Sequence, residues 1–120
     1  MALAGGNPKH KRLASWAADC AEQVLSFFEQ ACPNDDRPRQ AIAAARAWVQ
    51  DELTVPEARG FAFAAHAAAR TAENPAAVAA ARAAGHAAAT AHVATHAPHA
   101  EAYARKAVAA SFTDRNSTVF

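Results

Sequence analysis

Leucine and isoleucine number only four and one in this chain of 120 residues, so large aliphatic side chains cannot build its core. Cysteine is nearly absent too. Cys20 and Cys32 lie twelve residues apart, about 18 Å along a helix, which is too far to pair without breaking that helix. Two unpaired thiols fit a reduced, cytoplasmic setting, and residues 1–7 are too short and too weakly apolar for a secretory signal. Neither charge is in excess: 12 Lys and Arg face 11 Asp and Glu, a formal net charge of +1. That balance supplies no electrostatic reason to expect DNA or RNA as a partner. The most apolar stretch, residues 76–97, is interrupted by Arg82, His86, His92 and His96. Alanine adds little hydrophobicity, so this stretch is not a membrane span. Glycine-rich phosphate loops, a catalytic serine elbow, paired-cysteine zinc motifs and the two-carboxylate bundle motif are all missing.

What the chain has instead is alanine, 39 residues of the 120. Helices faced with alanine approach one another closely, near the lower end of the roughly 8–10 Å range of interaxial distances. The apolar share of 52% against 19% charged residues disfavours disorder. A chain of this length forms one domain and buries roughly 65% of its unfolded surface.

Periodicity divides the chain into five helices. Residues 1–8, with Gly5, Gly6 and Pro8, read as a flexible leader. The first helix spans about 9–31, with Leu13, Trp16, Ala17, Cys20, Val24, Phe27, Phe28 and Ala31 on its apolar stripe. Cys20 thereby reads as a packed thiol. A turn at 33–36 leads to a second helix over 37–53, capped by Asp36, with Ile42, Ala45, Val49 and Leu53 inward and Trp48 at their flank. The third covers 56–73, with Phe61, Ala64, Ala65, Ala68 and Ala72 on one face. Asn74-Pro75 opens the fourth, over 75–97, which is small and apolar nearly all round and so belongs at the centre. Gly85 costs about 1 kcal/mol in mid-helix relative to alanine, which predicts close backbone approach by a neighbour. Pro98 breaks the chain, a fifth helix follows over 99–111, and 113–120 is a flexible tail. The expected fold is all-α: a single compact bundle of five antiparallel, alanine-rich helices over residues 9–112.

Among chemistry-bearing residues the histidines stand out. On a wheel of 100° per residue, His92, His96 and His99 fall within about a 60° arc if the helix survives Pro98. His92 and His96, four apart, have the spacing by which two imidazoles ligate zinc. The metalloprotease motif needs a Glu directly after its first His, and Val93 stands there. No Asp or Glu lies between Glu73 and Glu101. The plainer reading makes His92 and His96 polar core residues that continue the row Val78, Ala81, Gly85 and Ala88, neutral because burial lowers their pKa. His86 lies more than 100° from that row and reads as a packed or rim histidine. On the third helix, Arg59, Phe63, His66 and Arg70 form a stripe that joins an aromatic ring to two guanidinium groups. That composition is enriched where proteins bind proteins.

Five segments are carried in order: 12–25 (RLASWAADCAEQVL), 37–48 (RPRQAIAAARAW), 64–70 (AAHAAAR), 81–97 (ARAAGHAAATAHVATHA) and 102–107 (AYARKA). With Trp16, Cys20, Trp48, His66, Gly85, His86, His92 and His96 at their places, these segments resemble the immunity-protein-five-like family of bacterial immunity proteins. The resemblance implies a non-enzymatic protein that binds and neutralises a toxin delivered by competing bacteria. It implies no catalytic residue, cofactor or metal. Arg59, Phe63, His66 and Arg70 are the residues expected to meet the partner. Two other readings remain open: a small His-ligated metalloprotein or hydrolase using His92, His96 and His99 or His66, and a helical structural module that forms a homodimer through exposed alanine faces.

Overall fold

The structure is a computed structural model that describes residues 7–119, and the side chains of residues 7–113. Among the described residues there are five helices: α1 (Pro8–Ala31), α2 (Arg37–Val49), α3 (Val55–Thr71), α4 (Pro75–Ala89) and α5 (His96–Val119). Among the described residues there are no strands, and the fold is an all-α bundle. Residues 1–6 of the expected leader and the side chains of the expected tail from 114 onward lie outside the described residues.

Local chemistry sets most of the helix starts. Asn7 accepts a hydrogen bond from the His10 N–H at 2.8 Å and Pro8 follows it. Asn74 does the same for the Ala77 N–H at 3.0 Å, ahead of Pro75. Thr54 and Glu57 form a reciprocal capping box at the start of α3. At α2 the expectation needs correcting. Asp36 occupies the cap position but its side chain makes no capping bond, and accepts instead from the Gln40 side-chain amide at 2.8 Å. Asp35 takes the Arg37 N–H, at 3.1 Å, together with the Arg37 guanidinium.

α4 is the hub, packing against α1, α2, α3 and α5. Ten of its fifteen residues are buried, nine alanines and Gly85. A methyl side chain contributes only about 0.8 kcal/mol on burial, so stability here rests on many small contacts. Large side chains are used sparingly in the interior. Phe28 and Val24 of α1 anchor the main cluster. Trp48 is 1% exposed and centres a second cluster with Ala14, Ala58 and Ala91. It was expected only to flank its row. Trp16, expected on the buried stripe of α1, is 41% exposed. No helix of the described residues is long and apolar enough to cross a membrane.

α4 stops at Ala89, well short of the break expected at Pro98. The His10 ring Nε2 donates to the Thr90 carbonyl at 2.5 Å, occupying the acceptor that a continuing helix would offer to the Ala94 N–H. The Thr90 hydroxyl also bonds back to the His86 carbonyl at 2.9 Å, an arrangement that loosens a helix end. The chain turns through residues 90–95, and Pro98 falls in the first turn of α5. Its missing N–H costs nothing there. Pro98 thus helps to start a helix rather than end one.

Candidate functional site

The early end of α4 redistributes the histidines. His92 lies in the turn and is exposed, His96 begins α5, and His99 lies one turn further along α5. The single stripe of His92, His96 and His99 on one helix does not exist, because the helix that would carry it ends first. His86 was expected to stand apart, yet it lies at the middle of an imidazole cluster. Its Nδ1 is 3.0 Å from the Nδ1 of His96, so one of the two rings donates to the other. The His66, His96 and His99 ring centroids lie 5.0, 5.2 and 5.3 Å from that of His86. Tyr103 stacks on the same ring at 5.3 Å with an interplanar angle of 11°.

Gly85 finds its explanation here. A Cβ at this position would lie 2.6 Å from Nε2 of His66 and under 3 Å from two of its ring carbons. The close approach expected of a backbone is made by an imidazole. Gly85 makes the room in α4 that lets a ring from α3 lie against the helix and reach His86. The Arg82 guanidinium, one turn earlier, donates to Nδ1 of His66 at 2.9 Å. His66 is therefore held as the neutral tautomer with its proton on Nε2.

Electrostatics follow from this packing. Burial drives the His66 imidazole down to about 4, assisted by the charges of Arg82, Arg70 and His96. Burial does the same to His86, also to about 4, with His66, His96, His99 and Arg82 adding repulsion. His96 is lowered by burial and by His99 and His92. His66, His86 and His96 are thus neutral near pH 7. Among the described residues, no serine, cysteine or carboxylate hydrogen-bonds to any of these rings. The triad type of nucleophilic catalysis pairs the imidazole with such groups. No three of the described His, Cys, Asp and Glu residues converge so as to hold a metal ion.

Beside the cluster opens a small cleft of about 150 Å³, with Arg59, Phe63, His66, His92 and His96 in its wall. Of the four residues expected to meet a partner, three line it. Phe63 is 64% exposed, and the Arg59 guanidinium sits over its ring, 5.7 Å from the centroid. Arg70 is exposed one turn beyond His66 and bounds the same face without entering the cleft. Tyr103 and Arg82 were missed by sequence reasoning. Their only signal, a ring and a guanidinium near the histidine segments, carried no periodicity of its own.

Cys20 and Cys32 are both free. Burial pushes the Cys20 thiol up, with the Glu101 and Asp19 charges adding to the effect. A raised thiol pKa fits a packed rather than a reactive cysteine.

No curated protein and no solved structure matches the chain. Residues 6–119, nearly its full length, match the profile of the family described as "Imm-5 like putative immunity protein". The chain belongs to that immunity-protein family.

Proposed function

We propose that this protein binds a cognate bacterial toxin in the cytoplasm and neutralises it without catalysis, meeting it through Arg59, Phe63, His66 and Arg70. Family membership supports the toxin as partner. One observation carries the choice of surface: Phe63 stands 64% exposed beneath the Arg59 guanidinium at the lip of a cleft. An exposed aromatic paired with arginine on a rigid helix is the composition of a binding hot spot. The neighbouring imidazoles make no hydrogen bond to a serine, cysteine or carboxylate among the described residues, which supports binding over triad-type turnover. They serve instead to hold α3, α4 and α5 in register under the surface. The cleft, at about 150 Å³, is smaller than the roughly 300–1,000 Å³ of small-molecule pockets. It suits a single protruding side chain of a protein partner.

Co-expression with the toxin encoded at the same locus tests this reading. The chain should protect the cells and co-purify with the toxin. Survival no better than in its absence, with no complex recovered, would overturn the proposal.

A further inference from the structure

The three arginines of α2 each hold a carboxylate: Arg37 with Asp35 at 2.7 Å, Arg39 with Glu29 at 2.6 Å, and Arg46 with Glu22 and Asp19 at 2.6 and 3.0 Å. The cations around the cleft are arranged differently. Arg59 faces the Phe63 ring, Arg82 donates to a neutral imidazole, and the Lys106 ammonium sits 4.8 Å from the Tyr103 ring centroid. Among the described residues, no carboxylate pairs with Arg59, Arg70, Arg82 or Lys106. Glu57 is engaged in the α3 capping box and Glu101 with Arg105 at 2.7 Å, while the exposed Glu73, just past the end of α3, forms no ion pair with Arg70. A chain with a net charge of only +1 therefore concentrates uncompensated positive charge on one face, about an exposed phenyl ring.

We infer that the partner docks on this face with an acidic protein segment, placing a carboxylate in the cleft between Phe63, His92 and His96, where Arg59 can form a two-pronged ion pair with it. The inference rests on the binding reading above and names the chemistry of that partner. A guanidinium parked on a ring is already ordered, so little rotamer freedom is lost when a carboxylate arrives. Phe63 supplies the apolar anchor beside the charge, the combination found at the centre of protein interfaces. A nucleic acid fits less well. Its phosphates extend as a continuous polyanion, whereas the cationic face is short, and the flank formed by α1 and α2 carries Asp19, Glu22 and Glu29.

Three probes test this on the purified chain by NMR of its histidine ring and its arginine and lysine side-chain signals: a ten-residue polyglutamate peptide, a ten-residue polylysine peptide, and a single-stranded deoxyoligonucleotide with ten phosphates. Polyglutamate should shift the His66, His92, His96 and Arg59 signals, and polylysine should leave them unmoved. The double variant Arg59→Glu/Arg70→Glu should weaken polyglutamate binding at least tenfold, while Arg39→Glu/Arg46→Glu leaves it within about twofold. All four residues are partly or wholly exposed, and circular dichroism of each variant verifies the fold. Phe63→Ala provides a second, uncharged variant and should weaken binding at least threefold. The inference is overturned if polyglutamate moves only Lys9, Lys11 and Arg12, or if the oligonucleotide shifts the cleft signals more strongly at equal charge. Either failure leaves the toxin reading standing, because protection by the wild-type chain measures that separately.

Discussion

Three arginines of α2, on the flank it forms with α1, and three of α3 and α4, on the face they form with α5, are treated in opposite ways. On the flank, Arg39 and Arg46 of α2 reach across to Glu29, Glu22 and Asp19 of α1. Both guanidinium charges are answered within the chain. On the opposite face Arg59, Arg70 and Arg82 meet rings, or nothing charged, among the described residues. Beneath them lie neutral imidazoles that burial and mutual repulsion keep unprotonated. Surface ion pairs contribute little to stability, about 0–1 kcal/mol each, so the flank's pairing is chiefly a matter of charge satisfaction. The difference teaches where charge is satisfied within the chain and where the proposed partner would have to satisfy it.

Acidification should break the comparison most strongly, because the imidazole cluster of His66, His86 and His96 lies on only one side. The His66 and His86 values fall from 6.5 to about 4 on folding. The unfolded chain thus takes up protons first as pH drops. Stability is fully present above about pH 6.5 and is lost as pH falls from there towards 4. Both rings are partly exposed, so solvent screening reduces each contribution to about 1–2 kcal/mol. Urea unfolding at pH 7.5 and 4.5 should differ by roughly 3 kcal/mol, and His66→Gln/His86→Gln should flatten the profile. A flat wild-type profile would remove the buried cluster from the account.

The next effect concerns the hub that holds the two sides together. Ala88 is fully buried in α4, so Ala88→Leu should overpack the interior and cost about 1–3 kcal/mol. An unchanged Tm would mean that α4 is not enclosed. A smaller and more diagnostic effect is expected one turn earlier. Gly85→Ala gains up to about 1 kcal/mol of helix propensity but sets a methyl group on the His66 ring, 2.6 Å from Nε2. The ring must swing away and lose Arg82, giving net destabilisation of about 1 kcal/mol. In a His66→Ala background the same substitution should become stabilising, and a double-mutant cycle by urea unfolding reads the change of sign. Additivity would show that the ring does not lie there. Least of all, Arg46→Ala on the flank should cost under about 1 kcal/mol, despite its two carboxylates. A loss several times larger would mean that the flank's ion pairs are structural after all.

Much of the fold was legible in the sequence because it is written locally. Pro8, Asn74-Pro75 and the Thr54–Glu57 box mark helix starts by short-range rules, and the alanine content of residues 76–89 marks the central helix. The candidate site was legible only in part. Arg59, Phe63, His66 and Arg70 share one face of one helix, so periodicity groups them. His86 was set aside because the wheel assumed that α4 continued to Ala97. What ends α4 is the His10 ring on the Thr90 carbonyl, a contact eighty residues distant in the chain, and no local pattern announces it. The role of Gly85 was visible as a cost without its beneficiary, since the ring that needs the space comes from another helix. Trp16 misled for the opposite reason. Its spacing matches the buried stripe, but the neighbouring helices leave it at the rim.

The central claim is that the α3–α4–α5 face, and not the α1–α2 flank, meets the partner. Survival of cells producing the cognate toxin together with either Arg59→Glu/Phe63→Ala or Arg39→Ala/Arg46→Ala measures this directly, with circular dichroism confirming that both variants remain folded. The account predicts that protection is lost with the first pair and kept with the second. Full protection by the first pair, or loss confined to the second, would contradict it.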